Sequence, residues 1–108
     1  MTPTPEHIKT LADAFGAAQQ QAIYEQAIWK LATDDKGSFM RSVMATGASA
    51  AEAERQANDM AKAHLDQVNA AAEHAERAAK KLKDAVDELA AANFRKSRER
   101  AREREQHQ

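Results

Sequence analysis

The most regular feature of the sequence is a heptad pattern in its second half. Between residues 65 and 89, apolar residues recur at alternating steps of three and four, which defines the a and d positions of a coiled-coil helix. Alanine also fills the g position of each heptad, so the stripe is three positions wide, as is typical of a bundle helix. The a and d positions, which we expect to face inward, are Leu65, Val68, Ala72, Ala75, Ala79, Leu82, Val86 and Leu89. The flanking g positions are Ala71, Ala78, Ala85 and Ala92.

A first helix is predicted over about residues 5–33. Thr4 suits its cap and Pro5 its first position, because proline has the backbone φ that a helix start requires. Its first half carries one inward stripe at steps of three and four, formed by Ile8, Leu11, Phe15, Ala18 and Ala22.

Two glycines bound a short connecting helix over about residues 39–46. We expect Gly37 to end the first helix, Ser38 to cap the second and Gly47 to close it. The apolar side of this helix, which we expect to form a lid over residues 23–31, consists of Phe39, Met40, Val43 and Met44.

A capping box, Ser49 to Glu52, opens a long helix from about residue 50, and no glycine or proline follows it. Alanine makes up about a quarter of the chain, and no alternating strand pattern is present. We therefore expect an all-α fold, an elongated helical hairpin or bundle with one long coiled-coil-like C-terminal helix. A single domain is predicted over residues 1–94, followed by a charged basic helical tail over 95–108 that frays at its end.

The predicted helix lengths leave part of the long helix uncovered. A first helix of about 28 residues reaches about 42 Å. If it folds back antiparallel on the long helix, it covers the apolar a and d stripe, the seam, only as far as Ala79. The apolar residues predicted to lie beyond that reach, and to form an interface with a second copy or another protein, are Leu82, Val86, Leu89 and Phe94. A homodimer is favoured because two-fold pairing is the commonest oligomeric arrangement.

A second candidate surface lies near the end of the first helix, where apolar residues surround most of its circumference. Two interpretations stay open for Tyr24, Ile28 and Trp29. The short helix covers them, or they are partly exposed anchors for a partner, since tyrosine and tryptophan are favoured at binding hot spots.

The tail has a positive charge that the nearly neutral chain conceals. The formal charges of residues 1–60 sum to −3, those of residues 61–94 to −1 and those of residues 95–108 to +3. The cations that would contact phosphates or an acidic protein surface are Arg95, Lys96, Arg98, Arg100, Arg102 and Arg104. Phe94 could stack on a base, but interleaved glutamates also fit a solvated helix end.

Other side chains show no pattern of reaction chemistry. The chain has no cysteine, and its four histidines have no metal-ligand spacing, so we expect each histidine to be solvated. The carboxylates are spaced as helix-surface partners of lysine and arginine. We expect no enzyme activity, metal, cofactor, small-molecule substrate or membrane contact, and, with no signal or membrane-span pattern in the sequence, a cytoplasmic protein.

Together these patterns favour an oligomeric helical interaction protein, acting as an adaptor, an assembly factor, or a small inhibitor or regulator. Small helical proteins of this kind are common among phages and other mobile elements. A nucleic-acid-binding accessory protein that uses the basic helix end is the alternative.

Overall fold

A computed structural model describes residues 2–106 of the chain, and these residues form three α-helices and no strand. The helices are α1 (Pro5–Asp34), α2 (Lys36–Ala45) and α3 (Ala50–Gln106). The all-α class, the helical hairpin with its short connecting helix and the long C-terminal helix are confirmed. The 57 residues of α3 correspond to a helix of about 85 Å at 1.5 Å per residue. The predicted fraying falls partly on residues 107–108, which lie outside the described residues.

Side-chain caps fix the start of both long helices. The Thr4 Oγ1 atom accepts a hydrogen bond from the His7 backbone N–H at 3.1 Å, directly before Pro5. The Ser49 Oγ atom accepts one from the Glu52 backbone N–H, also at 3.1 Å. These are the predicted caps, and each satisfies one of the backbone donors that a helix N-terminus leaves unpaired. Of the predicted capping box only the Ser49 half is shown, because the Glu52 carboxylate accepts hydrogen bonds from the Arg55 and Gln56 side chains.

The predicted boundary between the first two helices is wrong. Helix α2 begins at Lys36, so Gly37 lies inside it, and Asp35 instead of Ser38 is the N-cap residue. The break is a single residue at Asp35, with φ −101° and ψ 20°. Gly47, by contrast, closes α2 as expected, with a φ of +102°.

The chain divides into two packing units. The central unit is Ala17–Ala75, and the terminal unit combines Met1–Gly16 with Glu76–Gln108. In the central unit, α2 packs on the first turns of α3, where the Lys36 Nζ atom lies 3.8 Å from Glu54 Oε1. In the terminal unit, the start of α1 packs on the second half of α3.

The buried face of α3 differs from the prediction. The d positions Val68, Ala75, Leu82 and Leu89 are half-buried as expected. The g column, defined as Ala71, Ala78, Ala85 and Ala92, is half-buried or buried. The a column, defined as Leu65, Ala72, Ala79 and Val86, is exposed except for the half-buried Ala79. The seam therefore consists of d and g positions, and the expectation that the a column faces inward is wrong.

Side-chain size explains why the d and g positions of α3, and not its a and d positions, form the seam. Helix α1 contributes large residues to its contact with α3, namely the half-buried Ile8, Leu11 and Phe15. Large residues on one helix fit against a row of alanines on the other and allow the two axes to approach. The buried residues of the described chain are all alanines, namely Ala18 on α1 and Ala53, Ala57, Ala85 and Ala92 on α3.

The predicted reach of the first helix is also wrong. Thr2, Thr4 and His7 line a cleft together with Glu88, and Thr2 lines a second cleft with Ala91 and Arg95. Ala85 and Ala92 are buried within the same unit. The seam is therefore covered well beyond Ala79. The end of α1 lies beside the second and third turns of α3, where Leu31 and Ala32 line a groove with Met60.

Candidate interaction surfaces

The proposed interface residues near the end of α3 separate into two pairs. Leu82 and Leu89 occupy d positions and are half-buried in the terminal unit, so they do not lie beyond the reach of α1. Val86 is 44% exposed and Phe94 is 64% exposed. Val86 and Phe94 are therefore the members of this set that offer apolar surface to a partner.

The a column continues the surface around Val86 toward the start of α3. Leu65, two heptads before Ala79, is 39% exposed. An aliphatic side chain gains about 1.5–3 kcal/mol when it is moved fully out of water, and neither Leu65 nor Val86 obtains this within the chain. The sequence pattern identified both residues as apolar heptad positions but assigned them to the wrong face of the helix.

A second apolar surface lies on α1 in the central unit. Tyr24 is 59% exposed, whereas Ile28 and Trp29 are half-buried. Ile23 and Leu31, which the sequence interpretation did not select, are more exposed than Tyr24. We refer to Ile23, Tyr24 and Leu31 as the α1 patch. Their helical positions lie on the side of α1 opposite the buried stripe, and this spacing could have identified them.

The short helix covers the end of α1 only in part. Phe39, Met40 and Val43 are half-buried and Met44 is exposed. A groove of about 420 Å³ remains between the three helices of the central unit. Its apolar lining comes from Ile28, Leu31, Ala32, Phe39 and Met60, and its polar lining from Asp35, Ser38 and Ser42. The lid is thus present, but Leu31 at the edge of this groove and the other residues of the α1 patch stay exposed.

The tail is helical and exposed from residue 95 to residue 106. All six of its cations lie in this described part. The guanidinium carbon of Arg98 lies 5.9 Å from the centre of the Phe94 ring, a cation–π geometry on the helix surface. Arginine and phenylalanine together present both charge and a flat apolar face to a partner.

His64 differs from the solvated histidine that was expected. It is half-buried at a g position, and its Nδ1 atom is buried without a hydrogen-bond partner among residues 2–106. A buried polar atom without a partner destabilises the folded chain by about 1–3 kcal/mol.

Several other polar side chains pair locally on the helix surface, as Arg55 does with Glu52. A hydrogen bond from Arg55 holds the pKa of the exposed Glu52 carboxyl below its usual value, and a weaker one from Gln56 adds to the effect. No group of three or more potential metal ligands occurs within residues 2–106.

Within the described residues, no helix combines the length and apolar character needed to span a membrane. Comparisons with family models, curated proteins and solved structures found no match to this chain. The physical properties of the surfaces therefore carry the functional argument.

Proposed function

We propose that the protein is a non-enzymatic helical interaction module that pairs with a second copy and binds another protein. The observation that carries this proposal is the composition of the core, whose buried residues within positions 2–106 are all alanines. Large apolar side chains are instead exposed on both α1 and α3. Such a module would serve as an adaptor, an assembly factor, or a small inhibitor or regulator, and the proposal retains the expected cytoplasmic location.

The exposed apolar side chains would stabilise the protein if another chain covered them. A small domain is stable by only about 5–15 kcal/mol, and each large aliphatic side chain buried contributes about 1.5–3 kcal/mol. The buried alanines supply little of this, because their side chains are single methyl groups, and the large residues of the seam are only half-buried. Covering the exposed leucine, valine and aromatic residues with another chain would therefore contribute a large fraction of the total stability.

The two parts of the proposal are tested separately. Sedimentation equilibrium over a hundredfold concentration range measures self-association of the full chain, and a dimer is expected. Affinity capture from the source cells is compared between the wild type and a Tyr24→Lys/Leu31→Lys variant. We expect a partner protein that the wild type retains and the variant loses. A monomer at every concentration, together with identical captured proteins, would contradict the proposal.

A second candidate function is nucleic-acid binding by the tail. It is favoured by the exposure of all six cations and by the Phe94 ring lying beside Arg98. Phosphate contacts would make binding weaken steeply with salt, by a power that reflects the number of contacts. Binding to generic DNA and RNA, measured from low to physiological salt, is expected to disappear when residues 95–108 are removed. Weak binding that survives this deletion would exclude the tail as the site.

A further inference from the structure

The a column of α3 has a symmetry that bears on how two copies pair. Its members are spaced by seven residues, so Leu65 and Val86 lie at equal distances from a point between Ala75 and Glu76. We propose that two chains pair antiparallel along this column, an inference that rests on the self-association in the proposed function. Leu65 of each copy then faces Val86 of the other, and Ala72 faces Ala79.

The side-chain sizes in the a column fit two antiparallel helices that cross at a small angle. Two helices that cross at about 20° approach most closely at one point and diverge on either side, with axes 8–10 Å apart. The small residues Ala72 and Ala79 lie next to the centre, where the axes are closest. Leu65 and Val86 lie about 16 Å from it, at 1.5 Å per residue, where larger side chains are needed to fill the gap.

The charges of α3 distinguish antiparallel from parallel pairing. Residues 50–75 carry five acidic and two basic side chains, a net charge of −3. Residues 76–101, which an antiparallel partner places alongside them, carry five acidic and eight basic side chains, a net charge of +3. Antiparallel pairing thus brings opposite charges together at both ends of the interface. Parallel pairing would bring like charges together at both ends, and this is unfavourable.

The surface area of the chain is large enough for such an interface. The accessible surface is 8294 Å² for a chain of 11.9 kDa. Folded monomers of this mass expose about 5,900 Å², so roughly 2,400 Å² is in excess. A standard interface removes about 800 Å² per partner. The excess is larger than the area that one partner loses in a standard interface.

Disulfide trapping tests this arrangement, because the chain contains no cysteine. Single variants Ala72→Cys and Ala79→Cys are oxidised separately and as an equimolar mixture, and the products are resolved by non-reducing electrophoresis. In the antiparallel dimer, residue 72 faces residue 79, so a cross-linked dimer is expected in the mixture only. Two copies of residue 72 would be about 10 Å apart along the axis, which is too far for a disulfide.

The control pair is Ala70→Cys mixed with Lys81→Cys. These residues would lie at the same height in the dimer but on the sides of α3 that face away from the a column, so no cross-link is expected. Circular dichroism verifies that all variants remain helical.

The outcomes separate this inference from the proposed function. Cross-linking of Ala72→Cys alone would show parallel pairing and overturn the antiparallel arrangement. A dimer in sedimentation without the mixed cross-link would place the interface on another surface and would also overturn it. In both cases the self-association stands. A monomer at every concentration would overturn the self-association as well.

Discussion

Two columns of α3, which flank the half-buried d positions on opposite sides, differ in burial. The g column consists of alanines and contacts α1, whereas the a column includes Leu65 and Val86 and is mainly exposed. Burial in this helix therefore follows the fit between side chains rather than their hydrophobicity. Alanines are covered because α1 already supplies the volume that fills the interface. The larger side chains of the a column are left for a surface that the chain itself does not provide.

The largest expected effect comes from placing charges on the a column. In an antiparallel dimer, a Leu65→Glu/Val86→Lys chain pairs opposite charges at both ends, whereas a Leu65→Glu/Val86→Glu chain pairs like charges. We expect the second variant to dimerise less tightly by roughly 2–4 kcal/mol, about 30- to 1,000-fold in the dissociation constant. Sedimentation equilibrium at low salt measures the difference.

The same two variants have a built-in control. Raising the salt concentration screens exposed charges and should bring the two dissociation constants closer together. Equal dissociation constants at low salt would show that residues 65 and 86 do not face each other.

A smaller effect is expected from enlarging a side chain in the g column. Ala85→Leu inserts three carbon atoms between α1 and α3, where Ala85 is 7% exposed. Overpacking of this kind lowers the free energy of unfolding by about 1–3 kcal/mol. Ala90→Leu, at an exposed position of the same helix, should change it by less than about 0.5 kcal/mol.

Urea unfolding at one fixed protein concentration measures both alanine variants. If Ala90→Leu proved as destabilising as Ala85→Leu, the contrast between covered and exposed positions of α3 would be lost.

The smallest effect concerns His64, a polar residue that is half-buried at a g position of α3. His64→Met replaces the buried, unpartnered Nδ1 atom by a flexible apolar side chain that suits an irregular gap. We expect the free energy of unfolding to rise by about 1 kcal/mol. His74→Met, at an exposed position, serves as the comparison and should have little effect. A loss of stability in His64→Met would show that the imidazole ring contributes packing that outweighs its polar cost.

Local sequence signals predicted much of the fold. Thr4, Ser49 and Gly47 act as the caps and the turn that their chemistry indicates, because these interactions involve residues only a few positions apart. Gly37 misled the prediction, since glycine is tolerated inside a helix and only a left-handed φ makes it a stop signal. The α1–α3 register depends on how α2 packs against α3, which no local pattern encodes.

The candidate surfaces were harder to predict for the same reason. The heptad pattern shows which positions of α3 are apolar, but a stripe three positions wide does not determine which two of them face α1. Exposure of Leu65 and burial of Ala92 follow from the shape of the other helix. Phe94 and the tail cations were identifiable from sequence, because they lie where the apolar seam ends and the charge changes.

The turn at Gly47 has a consequence for the handedness of the chain. Its φ of +102° is disfavoured for L-amino acids, yet a side chain built on Gly47 would meet no atom within 4 Å. Chirality alone therefore reserves this position for glycine. A D-alanine introduced by chemical synthesis would prefer this backbone conformation, because a positive φ is the mirror image of the one that L-residues adopt. The connection between α2 and α3 is thus a site where a mirror-image residue would be preferred to every L-residue that has a side chain.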